Sequence, residues 1–144
     1  MGQVSATATK ELGAPPERVL AFLRDYHQAR PSILPDSYSR YRVEEGGEGA
    51  GTVFSYHFKS GPTERSFRMQ AEESDGRLIE RDELSSFTTT WNVTPAASGS
   101  TVTVESSWVG GGGIGGIFER VFAPLGLRRV YGEMLERLAA ALSD

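Results

Sequence analysis

The chain has 144 residues, 38% of them apolar and 24% charged, with a formal net charge of −4 and no cysteine. That length suits a single domain, 1–144, able to bury a core without a staple, and the lack of cysteine excludes disulfides and thiolate metal sites. The acidic balance argues against non-specific nucleic-acid binding, which needs a cationic surface. No window approaches the ~18 consecutive apolar residues of a membrane span. The first residues, MGQVSATATKELGAPPE, have no apolar stretch of the signal-peptide kind, so the expected setting is cytoplasmic.

QVSATATKEL alternates, with Val4, Ala6 and Ala8 on one face, and predicts a first strand. In GAPPERVLAFLRDYHQ, Pro15 and Pro16 suit a helix start and Glu17 complements the positive end of its dipole. Val19, Phe22, Leu23 and Tyr26 then recur at i, i+3, i+4 and i+7, an amphipathic helix. Two prolines in ARPSILPD leave room only for a short second helix. Six strand-like segments follow, each closed by a turn signal: YSRYRVEE, TVFSYHFKS, ERSFRMQAEE, RLIERDE, SFTTTWNVTP and TVTVESSWV. Consecutive short strands without intervening helices imply an antiparallel meander.

The final segment reads as a long helix with two seams. Ile114, Ile117, Phe118, Val121, Phe122 and Leu125 form the first. Leu127, Val130, Tyr131, Met134, Leu135, Leu138, Ala141 and Leu142 form the second, out of phase with the first. The phase jump at APLG predicts a kink at Pro124. The glycine run before it, GGGGIGG, matches G-x-G-x-x-G, but a dinucleotide site needs a further parallel strand after the helix. Glycine here reads instead as a sharp turn from the last strand into the helix, with residues 114–123 a candidate flap.

Alternation gives the strands' inward faces. Phe54, Tyr56 and Phe58 share one side; so do Phe67, Met69 and Ala71; Phe87, Thr89, Trp91 and Val93; and Val102, Val104, Ser106 and Trp108. One helix, ~10–12 Å wide, does not fill the hollow of a broad twisted sheet. Large rings with a few polar handles, namely Tyr56, Thr89, Ser106 and Tyr131, are what an apolar pocket wall contains. The expected fold is α+β: a curved seven-stranded antiparallel sheet around a long, kinked C-terminal helix, with one or two short helices after the first strand. The expected cavity is walled by Phe54, Tyr56, Phe58, Phe67, Met69, Thr89, Trp91, Ser106 and Trp108 of the strands, and by Phe118, Phe122, Tyr131 and Met134.

APPERVLAFLRDY after a first strand, GGEGAGTVFSYHF, FTTTWNVTPAASGSTVTVESSW and FERVFAPLGLRRVYGEMLERLAAAL together resemble the START-like helix-grip superfamily. More narrowly, they resemble its short bacterial polyketide cyclase/dehydrase and lipid-transport (SRPBCC) branch, over essentially the whole chain. The resemblance implies a hydrophobic-ligand cavity. It keeps open a cyclase/dehydratase activity and, since some short relatives act as growth-inhibiting toxins, a protein partner such as an antitoxin.

Residues that could carry chemistry are few. His27 and His57 are the only histidines, no His/Asp/Glu cluster is evident, and neither a metal nor a cofactor is expected. No serine lies in G-x-S-x-G. For acid–base work in a cavity the candidates are Tyr56, Asp82, Glu80 and Arg65. The simpler reading makes them solvated or ion-paired residues at the rim. Arg40 and Arg42 interleave with Tyr38 and Tyr41, a mixture that can bind single-stranded nucleic acid but more simply forms one solvated strand face. The expected partner is a small hydrophobic molecule.

Overall fold

β-branched and aromatic residues at alternate positions draw the middle of the chain into strands, and the turns between them are punctuated by glycine and polar residues. The computed structural model describes residues 3–60, 62–109 and 124–143. β1 (Gln3–Leu12) leads to α1 (Pro16–Leu23) and a 3-10 turn (Arg30–Ile33). β2 (Tyr38–Glu45), β3 (Val53–Ser60), β4 (Thr63–Ser74), β5 (Arg77–Asp82), β6 (Thr88–Ala96) and β7 (Gly99–Val109) follow, and then α2 (Pro124–Leu142). The seven strands form one antiparallel sheet in the order β1-β7-β6-β5-β4-β3-β2. The meander therefore runs from β2 to β7, and β1 closes it by pairing with the last strand. This is the α+β helix-grip arrangement that the element order predicts.

Every inward face predicted by alternation is buried. Phe54, Phe58, Phe67, Met69, Trp91, Val104 and Trp108 are each at most 3% exposed. On α2 the second seam packs down through Leu127, Tyr131, Met134, Leu135, Leu138 and Leu142, whereas Ala141 is exposed. α2 is described from Pro124 onward, and the kink predicted there falls at the edge of the described residues. The first seam as far as Phe122, including Phe118, together with the glycine run and the candidate flap, lies outside the described residues. Leu125, from that first seam, is exposed.

Two local departures matter for the interior. The predicted helix carries Tyr26 on its seam, but α1 ends at Leu23. The Tyr26 amide instead donates to the Gly47 carbonyl at 3.0 Å, and Asp25 forms an isolated bridge with Glu48, so the chain leaves the helix to meet the β2–β3 turn. Tyr26 is nevertheless fully buried. In β2, the pairs Ser39–His57 and Arg42–Ser55 enclose two residues, Arg40 and Tyr41, against one on β3, Tyr56. Arg40 takes up this bulge in the left-handed region, at φ 53°. In an unbroken strand Tyr38 and Tyr41 would face opposite ways. The bulge turns both inward, which corrects the reading of this strand as one solvated face.

Candidate functional site

Behind the inner face of β3, β5 and β6, where α2 and the 3-10 turn approach the sheet, lies a cavity. Its wall is Phe54 and Tyr56 from β3, Glu80 from β5, Thr89 and Trp91 from β6, Tyr38 and Tyr41 from β2, Arg30 and Leu34 from the 3-10 turn, and Tyr131 and Met134 from α2. The space wide enough for a water molecule is about 20 Å³. That is room for roughly one water, and far below the ~300–1,000 Å³ of a small-molecule pocket. Rings fill most of the hollow that the sheet leaves: Tyr26 stacks on Phe54 with centroids 4.8 Å apart, and Tyr56 on Phe67 at 5.3 Å.

At the floor is a buried ion pair. Arg30 is 5% exposed and Glu80 3%. The guanidinium grips the carboxylate with two bonds, Nη1 to Oε2 at 2.8 Å and Nη2 to Oε1 at 3.1 Å. Nη1 also donates to the Leu23 carbonyl at 3.0 Å, at the C-terminal end of α1 where a cation is favoured. The Tyr26 hydroxyl adds a third donor to Glu80, at 2.7 Å from Oε2. The Arg30 guanidinium carbon lies 5.0 Å from the Tyr26 ring centroid and 4.9 Å from that of Trp91. Burial opposes the charge on Arg30, but Glu80 more than offsets this and the net shift of its pKa is upward. The sequence places Glu80 on the face of Leu78, with a rim position as the simpler reading. The structure corrects that: the residue is paired, but deep inside.

All five tyrosines of the chain converge here. The Tyr41 hydroxyl donates to the Tyr26 carbonyl at 2.7 Å, and the Tyr38 hydroxyl to the Met134 sulfur at 3.7 Å. Thr89 and Ser106 share a hydrogen bond of 2.6 Å, and Ser106 bonds in turn to the Tyr131 hydroxyl. Burial raises the pKa of every one of these phenols, well above the usual range for Tyr38 and Tyr56 and to about 12 for Tyr131. They are hydrogen-bond donors at neutral pH, not bases.

The sequence candidates divide cleanly. Phe54, Tyr56, Thr89, Trp91, Tyr131 and Met134 line the cavity. Phe58, Phe67, Met69, Ser106 and Trp108 are buried on the same face but belong to the surrounding core. Asp82 is buried, yet its carboxylate ties β4 to the β5–β6 connection: Oδ1 accepts from the Arg68 amide at 3.1 Å and Oδ2 from the Ser85 hydroxyl at 2.5 Å. Arg65 lies half-buried over the Phe67 ring, 5.7 Å from its centroid. His57 faces outward as expected, with Nδ1 2.7 Å from Glu64. Among the described residues no group of three His, Cys, Asp or Glu is placed to hold a metal. None of the described helices is long and apolar enough to cross a membrane.

A family model described as polyketide cyclase / dehydrase and lipid transport matches residues 3–143. The chain belongs to that family. It is 44% identical to the KanY protein (ms6282), whose solution NMR structure superposes with a TM-score of 0.88 over 98% of each chain. TTHA0849 from Thermus thermophilus is 19% identical, with a TM-score of 0.74 over 97% of this chain and 100% of that one. Ara h 8.0201 is 15% identical, with a TM-score of 0.64 over 99% of this chain and 100% of that one. The last two show the fold alone. No curated protein matches the sequence.

Within this family member the residues that sequence reasoning missed are Arg30, Tyr26, Tyr38 and Tyr41. Arg30 stands in a proline-rich connection with no periodicity, and its partner lies fifty residues away on another element. The tyrosines are hidden by the early end of α1 and by the β2 bulge.

The floor of the cavity is testable in two ways. Arg30→Met leaves Glu80 buried without its counter-ion and is expected to cost about 3–5 kcal/mol in urea unfolding. Arg30→Met combined with Glu80→Met costs less than the sum of the two single changes, and strict additivity would contradict a coupled pair. The phenols give a pH dependence. Above pH 10.0, the ordinary tyrosine value, an unfolded chain loses protons that the folded chain still holds. Stability is thus full below that pH and falls as pH rises. Ultraviolet titration is expected to show tyrosinate appearing only together with loss of the fold; ionisation of folded tyrosines at about pH 10 would contradict their burial.

Proposed function

We propose that this chain binds a small hydrophobic molecule between the inner sheet face and α2, and acts as a carrier or receptor for it rather than as a catalyst. The observation that carries this reading is the cavity wall. Apart from one internally neutralised ion pair and Thr89, it is made of aromatic rings and two flexible apolar side chains, Leu34 and Met134. Family membership supports it, since the family's description couples polyketide chemistry with lipid transport.

A guest larger than water requires repacking. Met134 suits that role, being unbranched and polarisable. Leu34 is half-buried at the edge of the wall, beside the Arg137 guanidinium that donates to its carbonyl at 3.0 Å. Side-chain movement at these two positions widens the cavity without disturbing the sheet. Burial of the guest's apolar surface, ~25 cal/mol per Å² before association costs, then supplies the affinity.

Turnover is the weaker reading because the inward acids are occupied. Glu80 accepts three hydrogen bonds and Asp82 two. The tyrosines hold their protons. Among the described residues the cavity therefore presents donors but no free base, and acid–base catalysis needs one within reach of its substrate.

Leu34→Trp fills the edge of the wall from a half-buried site. Titration with the uncharged fluorescent probe N-phenyl-1-naphthylamine is expected to saturate with the parent protein and to weaken by about tenfold or more in the variant. The urea midpoint should stay close to that of the parent. Equal affinity in both proteins would place the guest elsewhere.

A further inference from the structure

On the opposite face of the sheet from the cavity, β3 and β4 bring a serine, a histidine and a carboxylate into one line. His57 and Ser66 are directly paired across the two strands, and Glu64 precedes Ser66 by two residues, so all three share the outer face. The Ser66 hydroxyl lies 3.2 Å from His57 Nε2, and His57 Nδ1 lies 2.7 Å from Glu64 Oε2. Glu64 is held ionised: its pKa is lowered, first by the hydrogen bond to His57 and further by the charges of Lys59 and Arg40. A carboxylate only accepts, so Nδ1 carries the proton of the neutral ring. Nε2 then presents a lone pair, and the Ser66 hydroxyl donates to it. Nucleophile, base and orienting acid in that order activate a serine, an arrangement known by its geometry and roles rather than by a sequence motif. Exposed polar contacts of this kind add little to stability, so packing does not call for it.

The relay opens onto a groove of about 390 Å³ whose wall includes Arg40, Arg42, Glu44, Ser55, His57 and Ser66. That volume lies within the ~300–1,000 Å³ of small-molecule sites. Ser66 is exposed and His57 half-buried, so a solute reaches both. The acid across the groove is occupied: Glu44 accepts from Arg68 Nε at 2.7 Å and from the Ser55 hydroxyl at 2.8 Å. The β2 bulge adds Arg40 to this face, between Ser39 and Arg42. The Arg40 guanidinium has no hydrogen-bond or ion-pair partner among the described residues. A cation left over beside the serine favours a substrate that carries a negative charge.

We infer that Ser66 is a nucleophile with His57 as its general base, that Glu64 positions the imidazole, and that the groove takes small carboxylic esters bearing a negative charge, which Arg40 holds. Ser66 Oγ forms a bond to the acyl carbon while its proton passes to His57 Nε2. The bond from the acyl carbon to the alkoxy oxygen breaks, and the leaving alcohol takes that proton. Water repeats the step on the acyl-serine, giving the carboxylic acid and the free hydroxyl. This site and the cavity lie on opposite faces of the sheet, so the ester and the cavity's guest are separate ligands.

The test treats the full chain with diisopropyl fluorophosphate, from which a serine oxygen displaces fluoride, and locates the adduct by peptide mass spectrometry. Labelling is expected at Ser66, and His57→Gln should slow it by about a hundredfold. Ser55→Ala, which alters the other serine of the groove wall, should label like the parent. Two chromogenic esters then define the substrate: 3-acetoxy-4-nitrobenzoate carries a carboxylate and 4-nitrophenyl acetate does not. Ser66→Ala should abolish cleavage of both, and Arg40→Ala should slow only the charged one, by a few-fold. Glu64→Leu should slow labelling and move the proton of the neutral His57 ring from Nδ1 toward Nε2 in nitrogen NMR spectra, a change that a packing role alone would not produce. All these positions are exposed or half-buried, and circular dichroism should show the fold retained. No adduct, or an adduct at another residue, overturns the inference. So does ester cleavage that survives in Ser66→Ala and is lost in His57→Gln, because the imidazole is then the nucleophile. Equal effects of Arg40→Ala on the two esters, including none, overturn the substrate class. Each of these failures leaves the cavity reading standing.

Discussion

The pairing of Arg30 with Glu80 is the constraint around which the interior is built. A guanidinium and a carboxylate withdrawn from water are tolerated only when each is nearly saturated with partners, and here five groups contribute. α1 offers a main-chain carbonyl, β5 the carboxylate, the segment after α1 a phenol, and Tyr26 and Trp91 their ring faces. One side chain thereby ties the first helix, the 3-10 turn and the centre of the sheet together. Because the pair is internally neutral, its surroundings can remain aromatic. The rest of the cavity follows from that neutrality: rings pack directly over the ions, and phenols deep in the wall keep their protons.

The same constraint is what favours the proposed binding role over a reactive one. A cavity that held a free carboxylate opposite the phenols would have the makings of proton transfer. In this chain the inward carboxylates are consumed by structure, Glu80 by Arg30 and Tyr26, Asp82 by the turn between β5 and β6. What is left of the described wall offers mainly aromatic and apolar area for dispersion and desolvation. The helix-grip frame, shared with relatives of low identity such as TTHA0849 and Ara h 8.0201, supplies the hollow. The particular residues on its floor set the chemistry of that hollow.

Much of this was legible in the sequence because strands announce their faces. Phe54, Tyr56, Thr89, Trp91 and Val104 fall inward by simple alternation, and α2 shows its buried seam through Leu127, Tyr131 and Leu138. Legibility fails wherever periodicity does. A left-handed residue at Arg40 shifts the parity of β2, so Tyr38 and Tyr41 look like members of opposite faces and are not. α1 stops at Leu23 because the Tyr26 amide finds Gly47, a long-range bond that no local pattern encodes. Arg30 is harder still. An arginine beside a proline in a short connection reads as surface, and only the register that brings Glu80 beneath it reveals otherwise. Alternation placed Glu80 on the correct face, but alternation alone does not distinguish a buried ion pair from a rim residue.

The most direct measurement is a crystal structure of the protein with N-phenyl-1-naphthylamine. The probe's rings should lie between Tyr56 and Met134, with the Arg30–Glu80 pair intact. A probe seated on the outer face of the sheet, or an Arg30–Glu80 pair broken apart in the complex, would contradict it.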